Sequence, residues 1–148
     1  MSAGAICVRS VHVASPGESV RAVARRMAEG DVGTVVVLGE RDRPVGILTD
    51  RDLVLRCIAQ ERDPDTTEVA EVMTAPVTYV YESTPIESAL ARMAGARARR
   101  LVVVNDDERL VGILALDDVL ELLTEELGSV GKLLRQRFDA KSALLGSR

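Results

Sequence analysis

The chain has 148 residues, of which 47% are apolar, and this length allows one or two small domains with a hydrophobic core. Its formal net charge of −4 argues against a general binder of nucleic acids or anionic membranes. Aromatic side chains are nearly absent, with one Phe, two Tyr and no Trp, so the chain lacks the stacking platforms of proteins that bind single-stranded nucleic acid.

The N-terminus and the cysteines indicate a cytoplasmic protein. The first residues lack a basic segment followed by an apolar one, and no run approaches the roughly 18 apolar residues of a membrane span. Cys7 and Cys57 lie far apart and match no metal-ligand spacing. We therefore expect free buried thiols in a reducing compartment, no membrane segment and no metal site.

The first half of the chain has the pattern of a mixed α and β unit. Ser19 can cap a helix with one apolar face, and Gly30 is placed to end that helix. Two runs rich in β-branched residues follow and flank a polar turn, which predicts a pair of strands. The two runs are residues 34–38 and 45–48. A further strand is predicted at 11–13, and a second helix at about 50–60.

The second half repeats this order. Thr84, Pro85 and Glu87 predict a helix start in which Pro85 takes the first helical position and Glu87 completes a capping box. Residues 61–71, between the halves, are polar and contain Pro64, which fits a linker or a short helix. The predicted strands of this half lie at 77–80, 101–104 and 110–114.

The tail has a different pattern from the two halves. Apolar residues recur at alternating spacings of four and three, which is typical of a helix that packs against a partner helix. Packing against the chain's own core explains the spacing equally well, and Gly128 within the seam costs roughly 1 kcal/mol in a helix interior. We expect residues 141–148 to fray. The seam consists of Leu116, Leu120, Leu123, Leu127, Val130 and Leu134.

An internal repeat relates the two halves. A shift of 66 residues aligns residues 11–58 with residues 77–124 without a gap. The shift superimposes identical stretches, including residues 26–28 on residues 92–94 and residues 45–48 on residues 111–114. The chain is therefore a tandem repeat, and each copy has the element order β-α-β-β-α.

Each copy has a strand-to-helix junction that suits an anion. The first N–H groups of a helix lack internal partners and carry positive partial charge. Thr49 adds a hydroxyl there, and Asp52 adds a carboxylate that can accept hydrogen bonds from ribose hydroxyls. The same Thr-x-x-Asp spacing also fits a capping box that binds nothing. The second junction keeps Asp118 but has Ala115 in place of the threonine.

The repeat unit, with its glycine-apolar-x-Thr-x-x-Asp turn, resembles the CBS domain, named after cystathionine β-synthase. The resemblance covers both copies and implies an α+β fold in which two CBS repeats pack pseudo-symmetrically, with a C-terminal helix in addition. We expect repeat 1 at 6–61, a linker at 62–72, repeat 2 at 73–127 and the helix and tail at 128–148.

The resemblance also implies a ligand site shared between repeats. Members of the family bind AMP, ADP, ATP, NAD or S-adenosylmethionine in clefts between two repeats. Arginines at the start of the second strand suit phosphate, although solvated charges at a strand edge explain them as well. The resemblance assigns ribose and phosphate to Thr49 and Asp52, phosphate to Arg99 and Arg100 of the other repeat, and adenine to Val77 and Thr78.

A second cleft would use Asp118 with Gly33 and Thr34. It offers neither an arginine nor the threonine hydroxyl at the helix start. Hydrogen bonds to charged groups contribute roughly 1.5–3 kcal/mol each, so we expect this cleft to bind a nucleotide more weakly than the first.

The leading hypothesis is a regulatory module that senses an adenine nucleotide and signals to an unidentified protein partner. An enzyme is not expected, because His12 is the only histidine and no nucleophile and base set can be assembled. The alternatives are a dimerisation or interaction module without ligand, or a binder of NAD or S-adenosylmethionine. We also expect a homodimer, since the family pairs its modules through helices and the leucine seam offers further apolar surface.

Overall fold

The computed structural model describes residues 1–146. Two three-stranded sheets and six α-helices make up an α+β fold, as expected from the sequence. The strands are β1 (Val13–Ala14), β2 (Thr34–Leu38), β3 (Pro44–Thr49), β4 (Tyr79–Tyr81), β5 (Arg100–Val104) and β6 (Leu110–Ala115). The helices are α1 (Ala3–Ile6), α2 (Val20–Gly30), α3 (Asp50–Leu53), α4 (Val69–Val72), α5 (Ile86–Ala96) and α6 (Leu116–Leu145).

The two repeats have the same sheet topology. In repeat 1, β1 runs parallel to β2, and β2 runs antiparallel to β3 with Val36 opposite Ile47. In repeat 2, β4, β5 and β6 pair in the same way, with Val102 opposite Ile113. Both register pairs are related by the 66-residue shift, so the internal repeat of the sequence is a repeat of structure.

Alternation along the strands sorts the valines between two sides of each sheet. Val35 and Val37 of β2 pack with α2 in the core of repeat 1, whereas Val36 faces the other way. Val36 joins Val102 and Val104 of β5 in a separate buried cluster. The two repeats therefore pack against each other through their sheets, in the pseudo-symmetric arrangement that the family resemblance implies.

The segment before each repeat packs on the opposite repeat. Near the N-terminus, Val8 pairs with Ile113 of β6, and their backbone hydrogen bonds are 2.9 and 3.0 Å long. Between the repeats, Val69 and Val72 of α4 are fully buried in the core of repeat 1. The two repeats are thus tied together by an exchange of short helices. The predicted boundaries place these α4 residues in the linker, and those boundaries stay a prediction.

The observed N-cap agrees with the sequence-based prediction at α2 and differs from it at α5. The Ser19 hydroxyl caps α2 by accepting the N–H of Ala22 at 3.2 Å, and Gly30 is the last residue of that helix. The predicted capping box at Thr84 is wrong. Pro85 is the N-cap of α5, and the Thr84 hydroxyl instead accepts the N–H of Tyr81 at 3.1 Å. The hydroxyl therefore stabilises the preceding turn.

The helix predicted at about 50–60 is not uniform. It begins as α3 and continues as a π-helical segment, Val54–Ile58. Val54 and Ile58 expose about half and two thirds of their surfaces, respectively. Repeat 1 therefore has an apolar outer surface beside α3.

Helix α6 is much longer than its counterpart in repeat 1. Val119 is buried in the core of repeat 2, but the seam residues from Leu120 onward are exposed. Packing on the chain's own core therefore explains only the first turns of the seam. Residues 141–145, predicted to fray, are helical, and residues 147 and 148 lie outside the described part of the chain. Within residues 1–146, no helix combines the length and apolarity needed to cross a membrane.

Candidate functional site

The first strand-to-helix junction forms a capping box. Thr49 ends β3 and is the N-cap of α3. Its hydroxyl accepts the N–H of Asp52 at 3.2 Å, while Oδ2 of Asp52 accepts the N–H of Thr49 at 2.9 Å. In the chain on its own, the capping interpretation of these two residues is therefore correct.

The capping box leaves part of the Asp52 carboxylate available. Oδ1 of Asp52 lies 3.8 Å from a guanidinium nitrogen of Arg56, and the side chain is 15% exposed. Arg56 also donates to the Val72 carbonyl at 2.9 Å, which ties this helix to α4. Because a carboxylate has about four lone-pair positions, capping does not exclude a further hydrogen bond to a ligand hydroxyl.

The start of β2 lies at this same first junction. The N–H of Asp50 donates to the carbonyl of Gly33 at 3.0 Å, and Thr34 is opposite Thr49 in the sheet. A Cβ at Gly33 would lie 3.0 Å from Oδ2 of Asp50, so a larger residue would press on that carboxylate. Gly33 and Thr34, predicted for the second cleft, are therefore neighbours of Thr49.

The arginines lie at the second junction. Arg100 is opposite Ala115 in the sheet, and the N–H of Leu116 donates to the carbonyl of Arg99 at 2.8 Å. The guanidinium of Arg99 donates to Oδ1 of Asp117 at 3.0 Å, with both side chains mostly exposed. Asp118 is half-buried one residue further on. Cations and carboxylates thus meet at the start of α6.

Arg100 has the more favourable direction for a ligand between the repeats. By strand alternation it shares the face of Val102 and Val104, which pack against repeat 1. The residue is exposed, so it lies at the rim of that interface. Ala115, the N-cap of α6, provides no side-chain hydrogen bond, which leaves the first N–H groups of α6 without a capping side chain.

The hairpin register thus places Thr34 beside Thr49 in repeat 1 and Arg100 beside Ala115 in repeat 2. Within residues 1–146, no hydrogen bond or ion pair joins Arg99 or Arg100 to Thr49 or Asp52. Their meeting in one cleft stays a prediction. The short polar turn within each copy could have indicated from the sequence that the arginines lie beside the second junction. Antiparallel strands joined by such a turn pair the start of the first strand with the end of the second.

Val77 and Thr78 lie at the interface of the repeats. Val77 packs against the buried cluster of Val36, Val102 and Val104. The carbonyl of Thr78 accepts the N–H of Val102 at 3.2 Å. Both residues are half-buried, so the chain approaching β4 lines the contact between the sheets.

A cavity that the sequence did not indicate runs along β1. It has a volume of about 620 Å³, and Val11, His12, Glu18 and Arg26 contribute to its walls. Arg26 donates to Glu18 at 2.5 Å and to the carbonyl of Val13 at 2.6 Å. The hydrogen bond from Arg26 lowers the pKa of Glu18 against an opposing effect of burial. The guanidinium is therefore held by its own repeat.

Metal-ligating side chains do not cluster in the described part of the chain: within residues 1–146, no group of three or more His, Cys, Asp or Glu side chains could hold a metal ion. Cys7 and Cys57 are free and buried, as predicted. Burial raises the pKa of the Cys7 thiol, which keeps it protonated at neutral pH.

The sequence matches the family model of the CBS domain twice, over residues 3–58 and residues 69–125. The chain belongs to the CBS domain family. Both matches begin at the exchanged helices, α1 and α4, so each CBS sequence unit starts with a segment that packs on the opposite repeat.

Relatives of this CBS pair include short proteins. Hypoxic response protein 1 of Mycobacterium tuberculosis (strain H37Rv) is 34% identical over 125 residues, which are 84% of this chain and 82% of that protein. An uncharacterized protein of Methanopyrus kandleri is 35% identical over 122 residues, which are 82% of this chain. The aligned part is 62% of that longer protein.

Solved structures confirm the fold. The crystal structure of Hypoxic Response Protein I with two coordinated zinc ions has a TM-score of 0.73 and 32% identity, covering 82% of this chain and 98% of that one. The cytosolic domain of the Mg²⁺ channel MgtE in complex with ATP has a TM-score of 0.69 and 33% identity. This match covers 82% of the CBS pair and 48% of the MgtE chain.

Proposed function

We propose that this CBS pair is a regulatory module that binds an adenine nucleotide, AMP, ADP or ATP, between its repeats and passes the bound state to a partner protein. The observation that carries the proposal is the second junction, where Arg99 and Arg100 flank the start of α6 next to Asp118. The ATP complex of the MgtE cytosolic domain, which has the same fold, supports an adenine nucleotide as the ligand class.

The second junction provides complementary groups for a nucleotide. Guanidinium groups and the uncapped N–H groups of α6 suit phosphate, and the carboxylate of Asp118 suits the hydroxyls of ribose. Arg99 pairs with Asp117 in the free chain, and both are mostly exposed, so a phosphate can compete for Arg99 at modest cost. We therefore assign the phosphate-binding site to this junction.

The first junction is the secondary site in this proposal. Thr49 and Asp52 retain a hydroxyl and part of a carboxylate, and Gly33 and Thr34 adjoin them. Val77 and Thr78 remain the proposed contacts for adenine there. Within residues 1–146, no hydrogen bond or ion pair joins the arginines to this junction, so we rank it second, in the reverse order of the sequence-based expectation.

A ligand-free interaction module is the competing function. It is favoured by the capping box, since Thr49 and Asp52 satisfy each other without a ligand. Binding of NAD or S-adenosylmethionine at the same clefts is the other alternative. Both are outcomes of the experiment that tests the proposal.

The test is thermal unfolding with millimolar AMP, ADP, ATP, NAD or S-adenosylmethionine, followed by calorimetric titration with any compound that stabilises the chain. A ligand that binds only the folded state adds about 2.7 kcal/mol at a hundredfold excess over Kd. We expect an adenine nucleotide to raise Tm. No shift with any compound would support the ligand-free module, and a shift with NAD or S-adenosylmethionine alone would refute the nucleotide assignment.

We also propose that two CBS pairs associate as a homodimer through the apolar surface beside α3. Val54, Leu55 and Ile58 are all about half exposed or more. They adjoin an apolar groove of about 470 Å³ between this segment and α2. Sedimentation at tens of micromolar tests the association, and a particle of 15.9 kDa would contradict it.

A further inference from the structure

The outer part of α6 extends away from the body of the protein. Val119 is buried, but every described side chain from residue 123 to residue 143 is exposed, apart from the half-buried Gly131. At 1.5 Å per residue, these residues correspond to about 30 Å of helix. The chain itself therefore provides little packing for this segment.

One face of this segment is apolar. Leu127 is 71% exposed and Phe138 is 69% exposed, and the other members of the stripe each expose roughly half of their surface. Spacings of three and four residues place them on one side of the helix. Solvent exposure of such a continuous stripe is unfavourable. The stripe consists of Leu120, Leu123, Leu127, Val130, Leu134 and Phe138.

Two glycines lie in the middle of the segment, although packing within the chain does not require a small residue at either position. A Cβ at Gly128 or at Gly131 would meet nothing within 4 Å, so the chain's own packing does not require either glycine. Each costs roughly 1 kcal/mol in a helix interior. A solvent-exposed helix with two glycines is marginal in water. Packing against a partner outside the chain would offset this cost, and Gly131, at the edge of the apolar stripe, would allow that partner to approach closely.

Charge is segregated along α6. Residues 116–130 contain five acidic and no basic side chains, whereas residues 131–145 contain four basic and one acidic side chain. The helix dipole favours this order only within the first and last turns, so it does not explain charges in the middle of the helix. Within residues 1–146, no ion pair involves Glu121, Glu126, Lys132 or Arg137.

We propose that α6 pairs with α6 of a second copy of this chain in antiparallel orientation, with the two-fold axis near residues 128–131. This orientation places the acidic half of each helix against the basic half of the other and buries both apolar stripes. A parallel pair would place acidic residues against acidic residues and basic against basic. Gly131, at the edge of the stripe, lies at this centre, where a small residue allows the helices to approach closely. The proposal adds to the homodimer proposed above a second contact, separate from the surface beside α3, and it does not depend on nucleotide binding.

Chemical cross-linking tests the orientation. Thr124 and Arg135 lie on the same flank of the stripe and are nearly equidistant from its glycine centre. Two separately purified variants, Thr124→Cys and Arg135→Cys, are mixed, allowed to exchange subunits and treated with a short bismaleimide. The native thiols are buried, so the new exposed cysteines react first. We expect the mixed pair to cross-link and each variant alone to cross-link poorly.

The other outcomes each overturn the proposal. Efficient cross-linking of each variant with itself would indicate a parallel pair, and no cross-linking in any sample would indicate that α6 binds something else or nothing. A mixture of Glu125→Cys and Lys132→Cys is the matched control. These residues lie on the side of α6 opposite the stripe, and we expect them not to cross-link.

Charge exchange tests the basis of the orientation with the same readout. In the cysteine background, Glu126→Lys or Arg137→Glu, two residues on one flank of the stripe, should each reduce the yield of mixed cross-link severalfold. The two substitutions together should restore it. An unchanged yield in both single variants would refute charge pairing. None of these measurements uses a nucleotide, so failure here leaves the proposed nucleotide binding untouched, and the reverse also holds.

Discussion

The carboxylate of Asp52 accepts the backbone N–H of Thr49 at 2.9 Å, so the acidic residue of the first junction also holds the start of α3 in place. Within residues 1–146, its counterpart Asp118 accepts no such hydrogen bond from the backbone N–H of Ala115, and Ala115 has no hydroxyl to cap α6 in return. Two residues related by the internal repeat therefore differ in their structural roles.

The first prediction compares these two aspartates. Asp52→Ala should lower the free energy of unfolding by about 1 kcal/mol, since it removes a capping interaction and the nearby charge of Arg56 loses its partner. Asp118→Ala should have a smaller effect. Urea unfolding without ligand measures both, and equal losses would contradict the difference in roles.

The second prediction concerns phosphate. Arg100→Ala should weaken nucleotide binding by about tenfold or more, because a hydrogen bond to a charged group contributes roughly 1.5–3 kcal/mol. Thr34 occupies the equivalent position in repeat 1 and is the matched control. Calorimetric titration should show little change for Thr34→Ala. A loss at Thr34 with none at Arg100 would return the phosphate site to the first junction.

The third prediction concerns pH. Arg26 holds the pKa of Glu18 below its ordinary 4.5, so the folded carboxylate stays charged to lower pH than the unfolded one. The resulting stabilisation is present above about pH 4.5 and is lost as the pH falls through the folded pKa. Glu18→Gln should therefore cost about 1 kcal/mol at pH 7 and progressively less towards pH 3.

Urea unfolding at several pH values measures this difference between wild type and variant. Glu29→Gln, on the exposed side of α2, the helix that contains Arg26, is the control and should change stability little. A cost for Glu18→Gln that stays constant from pH 7 to pH 3 would show that charge pairing with Arg26 is not its cause.

The fourth prediction tests the exchange of helices. Val72→Ala should destabilise the protein by about 2 kcal/mol, because Val72 is fully buried in the core of repeat 1 despite its position between the repeats. Val54→Ala, on the exposed surface beside α3, should cost little in the monomer. Similar small effects of both substitutions would mean that α4 is only a linker.

Local features of the fold followed from the sequence because they depend on short-range patterns. The paired strands of each copy and the Ser19 cap are properties of neighbouring residues, and the 66-residue period is found by aligning the sequence with itself. The structure confirms all three. The family resemblance added the packing of the repeats through their sheets. The cap predicted at Thr84 failed because a threonine hydroxyl fits a turn as readily as a helix start, and the structure uses it for the turn.

Tertiary structure alone decided which surfaces meet. The sequence predicts a linker or a short helix at residues 61–71, whereas Val69 and Val72 are fully buried in the core of repeat 1. The leucine seam of α6 did not reveal whether the chain itself would cover it. The hydrophobic effect is non-directional, so a sequence pattern shows that a face is apolar, whereas the partner of that face is set by the geometry of the whole chain.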